Sequence, residues 1–303
     1  MTIKWHFFLA MILLLGMLGR PLNAQSDLPI RLPDEGRVSL RDMESQDLER
    51  KLIRALNANP ANAQLIADRK LAVGLVDLRD PYQARFAQVN GDVMMYAASL
   101  PKIAILLASM DAFEKCELSE SPEVISDLNA MICYSNNQAS TRMIDRLGYD
   151  KIEAVLTDPR YQLYDEEFGG GLWVGKRYAA SGLRHPDPIK GLSHAATVSQ
   201  VCRFYYMMAT GALVTPVRCR QMLDIMDDPA LHHKFVNTLD QVAPQAKLYR
   251  KSGSWKNFHA DSVLVWGRNK RQRYILVALT EDPNGEQIIR NLVRVAEQVL
   301  QIP

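Results

Sequence analysis

The sequence predicts a mixed α/β fold: an antiparallel sheet of about five strands flanked by helices, with an all-helical domain inserted between its two halves. Two strand patterns lie early in the chain, three lie near its end, and a long helical block separates them. A closing amphipathic helix completes the pattern.

The elements follow in order. Residues 25–44 read as an extended lead-in, and Leu48, Leu52, Ile53 and Leu56 recur at helical spacing behind Ser45, a candidate cap. Residues 71–78, apolar but for Asp77, read as a strong strand, and residues 84–89 alternate after the Asp80-Pro81 turn as a second. Residues 101–115 are apolar almost throughout, as in a helix buried on most faces. Residues 122–147 predict one or two amphipathic helices closed by Gly148. Residues 157–196 are rich in glycine and proline and hold no sustained period; a connection of that length is usually functional or disordered. Helical pattern resumes over 198–208 and 216–226. Strands are expected over 248–254, 261–266 and 274–279, and the final helix over 287–300.

Hydrophobic residues make up 48 % of the 303 and charged residues 23 %, enough to bury a core and too apolar for wholesale disorder. Lys+Arg number 36 and Asp+Glu 34, so no long-range field favours nucleic acid or an anionic membrane. Residues 1–24 carry Lys4, an apolar run from Phe7 to Leu18, and Ala24 before the expected cut. This is the pattern of a secretory signal peptide. The apolar run is short of the ~20 residues of a bilayer span, so no stable membrane span is expected after cleavage. The expected mature chain starts at Gln25 and is periplasmic or secreted from a bacterium. The expected division is 25–98 plus 228–303 for the sheet domain, and 99–227 for the helical domain with its 157–196 loop. Cys116 and Cys133, and Cys202 and Cys219, are spaced for local disulfides; free thiols are the alternative. No metal-ligand spacing occurs, since His232 and His233 are adjacent and no Cys-x-x-Cys is present. No metal and no cofactor is expected.

Three polar clusters stand out. Ser99-Leu-Pro-Lys102 opens the most apolar helix, and its i, i+3 spacing puts the Lys102 amine within reach of the Ser99 hydroxyl. A hydroxyl needs a base to become a nucleophile. A lysine among apolar residues can supply one, because desolvation disfavours its ammonium. Taken singly, the motif equally describes a capping serine and a surface lysine. Ser135-Asn136-Asn137 offers a second hydroxyl for proton relay and a carboxamide able to grip a substrate amide, or simply a helix cap. Lys251-Ser252-Gly253-Ser254 on a strand offers a cation and a hydroxyl for a carboxylate, and a glycine that lets substrate approach the backbone. The backbone N–H groups of Ser99 and Ser254 are candidate oxyanion donors. The bland alternative is a lysine-guarded edge strand.

Ser-x-x-Lys, then Ser-x-Asn, then Lys-Ser-Gly, in that order, resembles the motif set of the class A β-lactamase and penicillin-binding serine hydrolase family. The stretch from Ser135 to Gly148 and the helical pair after Ala196 are similar to it as well. The resemblance implies a β-lactamase-like fold and a class A-like serine hydrolase. In it Ser99 is the acylated nucleophile, Lys102 its base or relay, and Ser135 the proton shuttle to the leaving nitrogen. Asn137, Lys251, Ser252 and Gly253 bind substrate, and the N–H groups of Ser99 and Ser254 form the oxyanion hole. The implied partner is a small-molecule β-lactam or a peptidoglycan peptide, handled by a monomer. A D-amino-acid peptidase and a non-catalytic binding protein of the cell envelope are the alternatives. A second pattern, Tyr134-Ser135-Asn136, is similar to the Tyr-x-Asn of class C enzymes, where the tyrosine is the base.

Three departures from the family pattern stand in the sequence. Asn136 replaces the usual Asp, and the Ser99–Ser135 interval is short. Val174 and Tyr178 occupy the loop positions expected for the Glu and Asn that hold the deacylating water. Valine cannot activate water, so impaired deacylation is expected unless another group substitutes; Asp165, Glu166 or Glu167 are the nearby carboxylates.

Overall fold

The computed structural model describes residues 28–32 and 38–302; the 1–24 signal-peptide pattern lies outside them. Ser45 caps helix α1 (Gln46–Asn57) through Leu48 N, and Leu48, Leu52 and Leu56 turn one buried stripe to the sheet. Helix α2 (Pro60–Ala67) follows with proline in its first turn. Strand β1 (Leu71–Asp77) is buried at every position and lies between β2 (Arg85–Val89) and the late strands. These are β8 (Lys247–Trp255), β9 (Phe258–Trp266) and β10 (Arg273–Glu281). The sheet runs β2-β1-β10-β9-β8, antiparallel throughout, so strands from both ends of the chain meet at the β1–β10 pair.

Helix α10 (Gly285–Leu300) packs with α1 on one face of the sheet, and Ile289, Leu292, Val293 and Ala296 share their core with Leu276 and Val263. Helix α7 (Val198–Ala209) covers the other face. It comes so near that a β-carbon at Gly74 would lie 2.6 Å from Cys202 Sγ. Beyond α7, helix α3 (Lys102–Glu114) is buried from Lys102 to Phe113. Around it stand α4 (Pro122–Cys133), α5 (Asn137–Leu147), α6 (Tyr149–Leu156) and α8 (Pro216–Met226). The apolar 101–115 pattern is thereby explained: this helix has no solvent face. Of the lead-in, Ile30 is buried and its N–H donates to Ala209 O.

The 157–196 segment is more ordered than its composition suggests. Strand β7 (His194–Ala196) pairs with β3 (Met95–Tyr96) on one side and β6 (Trp173–Val174) on the other. This small sheet ties the segment to the strand that leads into Ser99. A second ladder joins β4 (Tyr164–Asp165) to β5 (Gly170–Gly171). Asp187 closes the turn between them and β7 by accepting from Ile189 N and Lys190 N.

The suggested disulfides do not form; Cys116, Cys133, Cys202 and Cys219 are all thiols. Cys202 is buried against β1, Cys219 Sγ donates to Leu213 O at 2.9 Å, and Cys133 Sγ donates to Ile225 O at 3.3 Å. Each of these thiols faces a backbone of a different element rather than its sequence neighbour. Helix α9 (Phe235–Val242) was not legible as a helix, because no side chain caps it locally. Its first N–H donates instead to Asp261 of β9, a contact distant in sequence.

Candidate active site

Two strained residues precede the key side chains. Ala98 and Ser135 both have left-handed backbones, at φ 51° and 56°, a conformation that costs about 1–3 kcal/mol at a non-glycine and tends to mark functional sites. Ser99 lies in the turn after Ala98, where Lys102 N donates to Ser99 O. An i, i+3 bond of this kind eclipses the two side chains on one face.

The expected bond from Lys102 to the Ser99 hydroxyl is not made. The Lys102 amine reaches across to the α4–α5 connection, donating to Ser135 O at 2.7 Å and Asn137 Oδ1 at 2.8 Å. Ser135 Oγ is 3.4 Å away. A carbonyl and an amide oxygen are stronger acceptors than a hydroxyl, and both lie within its reach. On the opposite wall, Lys251 of β8 donates to the same Ser135 Oγ at 2.9 Å. One hydroxyl thus lies between two buried amines contributed by different elements. Burial lowers the Lys102 pKa to about 7. It lowers Lys251 well below its ordinary value, helped by the charges of Lys102 and Arg250. The cluster has two bases able to be neutral and a hydroxyl able to pass protons between them.

Gly253 abuts the turn that carries Ser99. A β-carbon there would lie 2.2 Å from Ala97 O, 2.7 Å from Ser99 N and 2.8 Å from Leu100 N, all backbone atoms. Gly253→Ala is expected to cost about 1–3 kcal/mol by overpacking and to push the Ser99 N–H out of line; thermal unfolding and acylation measured together check it.

The hairpin sets the direction of the Ser254 N–H. Residues 256 and 257 form a two-residue turn between Trp255 and Phe258, so the pairs 255–258, 253–260 and 251–262 are the hydrogen-bonded ones. Ser254 alternates with them, and its N–H points away from β9. Since β8 is the sheet edge, that N–H is unpaired by any strand. Ser252 Oγ lies 3.5 Å from His233 Nε2, an imidazole held neutral because burial lowers its pKa to about 4. Asn136 Oδ1 caps α5 through Ala139 N, a structural task. Tyr134 ends α4 with 68 % of its surface exposed.

The loop brings Tyr178 to this centre. Its ring centroid is 4.4 Å from Lys102 Nζ and its hydroxyl donates to Ala98 O at 3.2 Å. The His194 ring lies 4.3 Å from it. Val174 is buried in the small sheet, in register with His194. Glu166 and Glu167 lie in the 3-10 turn Glu166–Phe168. Glu166 borders a cavity with Glu153, Gln162 and Trp173, and neither carboxylate is a hydrogen-bond partner of Lys102, Ser135 or Lys251. Among the described residues no cluster of His, Cys, Asp or Glu could hold a metal ion. No helix there is long and apolar enough to cross a membrane.

Sequence pattern missed Lys234. It is buried directly before α9 and reaches the far side of the β8–β9 hairpin, donating to Gly253 O, Ser254 Oγ and Ala260 O. Only its neighbours His232 and His233 had drawn attention, and for metal spacing alone.

Solved structures share this architecture at low identity. PBP-A is 20 % identical over 85 % of this chain and 97 % of its own, with a TM-score of 0.61. A β-lactamase from Sphaerobacter thermophilus DSM 20745 is 16 % identical over 84 % and 98 %, at 0.63. A PBP-A mutant solved as an acyl-enzyme complex with penicillin G is 20 % identical over 89 % and 99 %, at 0.60. No match to a curated protein reaches significance. The profile of one family, described as the beta-lactamase enzyme family, matches residues 122–302, from α4 through α10 and across Ser135, Lys251 and Gly253. With the five-stranded antiparallel sheet and the helices around α3, that match makes the chain a member of the beta-lactamase enzyme family, with the fold of a β-lactamase-like serine hydrolase.

Proposed function

We propose that the protein is an exported serine hydrolase whose Ser99 is acylated by β-lactam amides and whose acyl-enzyme is released slowly. The observation that carries this reading is the placement of Ser135 Oγ between the Lys102 and Lys251 amines, beside the turn that bears Ser99. Ser99 Oγ bonds to the amide carbonyl carbon while neutral Lys102 takes its proton. Charge develops on the carbonyl oxygen, and the Ser99 and Ser254 N–H groups are the donors assigned to it. The C–N bond then breaks and the nitrogen leaves with a proton from Ser135, which the flanking amines replace. Asn137 and the Lys251-Ser252-Gly253 strand are assigned to the two ends of the substrate.

Slow release follows from the loop. Val174 presents no carboxylate, and Tyr178 covers the Lys102 amine with an aromatic ring. A missing general base costs about 10²–10⁴-fold.

Intact-mass measurement on the chain expressed in a bacterium and exposed to penicillin G tests the whole reading. The expected species begins at Gln25, gains one drug mass, and keeps it after free drug is removed; Ser99→Ala protein gains none. A protein retaining residues 1–24 overturns export. No adduct at millimolar drug overturns acylation, and loss of the adduct within a second overturns slow release. Release of D-alanine from muropeptides by the unmodified enzyme would assign the peptidase activity instead.

A further inference from the structure

Lys234 is fully buried, yet the proton chemistry of Ser99 makes no use of it. Its three hydrogen bonds all go to uncharged oxygens: Gly253 O at 2.5 Å, Ser254 Oγ at 2.8 Å and Ala260 O at 3.1 Å. An ammonium has three donors and no acceptor, so this cage matches the charged form. The nearby carboxylate of Asp261 is engaged elsewhere, with Arg250 and Phe235 N, and forms no ion pair with Lys234. The backbone of Lys234 itself is held at φ 54°, ψ −122°, a strained conformation at the tip of α9. Burial of this kind is costly for a cation with no ionic partner.

Gly253 O and Ser254 N belong to one peptide unit. In a trans peptide the carbonyl and the N–H point in opposite directions. A cation donating to the carbonyl therefore fixes the plane of the N–H on the cleft side. It also draws electron density from nitrogen to oxygen, which makes the N–H a stronger donor, as cooperative hydrogen-bond chains do.

We propose that Lys234 is a positioning residue for the reaction: its ammonium orients and polarises the Gly253–Ser254 peptide so that the Ser254 N–H stabilises the oxyanion. The proposal rests on the reading of Ser99 as the acylated nucleophile. Its contact with Ser254 Oγ adds a second tether to the same residue, and the contact with Ala260 O ties the peptide to β9. Lys234 thus acts on the transition state without touching it.

The test uses the full-length protein and three readouts. In Lys234→Gln the Ser254 amide proton is expected to move upfield in the drug-free protein. The ester carbonyl stretch of the penicilloyl-enzyme is expected to rise in frequency, since a weaker oxyanion hole polarises it less. Acylation is expected to slow by about tenfold, with the Kd of penicillin G measured in a Ser99→Ala background within about twofold of its unsubstituted value. Lys234→Arg, which retains the charge, is expected to restore most of the rate and both spectroscopic signals. An unchanged Ser254 amide and ester carbonyl in Lys234→Gln overturns the proposal, whatever happens to stability.

The unsubstituted protein supplies a check that survives misfolding of a variant. Burial lowers the Lys234 pKa to about 8. The Gly253 carbonyl carbon and Ser254 amide proton are expected to shift together as pH rises through that value. The charged groups facing Lys234 are Asp261, Arg250 and Glu286, and the two imidazoles facing it, His233 and His259, are both shifted downward by burial. Independent or absent shifts overturn the proposal. Both amide measurements need no drug, so failure to acylate overturns only the Ser99 reading.

Discussion

Lys102→Met is expected to slow acylation of Ser99 by about 10²–10⁴-fold, the usual contribution of a general base. The methionine keeps the apolar stem in the buried wall of α3 and removes only the amine. The same assignment fixes the direction of the pH dependence. Desolvation lowers the Lys102 pKa to about 7. Below that value the amine is an ammonium with no lone pair, and above it the amine takes the proton from Ser99. The acylation rate is expected to rise with pH through about 7 and then level off, while Lys102→Met loses the rising limb. Stability moves the other way on substitution. A lysine whose folded pKa lies below its unfolded value destabilises the fold most at pH below the folded pKa, and this cost fades as pH rises toward the unfolded pKa. Lys102→Met is therefore expected to melt no lower than the parent at pH 6. Stopped-flow mixing with a chromogenic cephalosporin, with thermal melts on the same samples, reads both outcomes. A variant that acylates at the parental rate would remove Lys102 from the chemistry.

Asp261→Ala is expected to lower unfolding stability by about 3–5 kcal/mol, the cost of leaving one partner of a buried ion pair alone. Its side chain is 0 % exposed and that of Arg250 2 %, with two N–O bonds of 2.7 and 2.9 Å between them. The carboxylate also accepts from Phe235 N at 3.1 Å and Ser262 N at 3.0 Å. Its loss leaves a guanidinium without a counterion and α9 without its only cap. Arg250 in turn holds the carbonyls of Leu231 and His233. The segment that carries His233 and Lys234 is therefore expected to loosen with it. Urea denaturation measures the stability change, and a loss below about 1 kcal/mol would show that the pair is solvated in solution.

Much of this molecule is legible from pattern. The leucines of α1, the largely apolar run of β1, the alternation of β2 and the three late strands gave five strands and the antiparallel meander, because burial imposes a pattern on each. Ser99, Ser135 and Lys251 were found through spacing, and the structure brings Lys102, Ser135 and Lys251 into one hydrogen-bonded cluster. What escaped is what depends on distant partners. Helix α9 is capped by Asp261, so its start carries no local signal. Lys234 matters through a cage assembled from β8 and β9, and nothing adjacent to it in sequence marks it. The direction of the Lys102 amine was misjudged for the same reason: its acceptors come from the α4–α5 connection. The cysteine spacing misled because equal intervals say nothing about which way each thiol points.

The small β3-β7-β6 sheet has an evolutionary consequence. Val174 is locked into a ladder whose central strand also holds the approach to Ser99. An acid introduced at that position alone would be buried beside His194, and dehydrating it would cost several kcal/mol. Under the proposed reading, the main chain must therefore be rerouted here before a carboxylate at this position becomes useful, and a single substitution of Val174 does not supply a water-activating base.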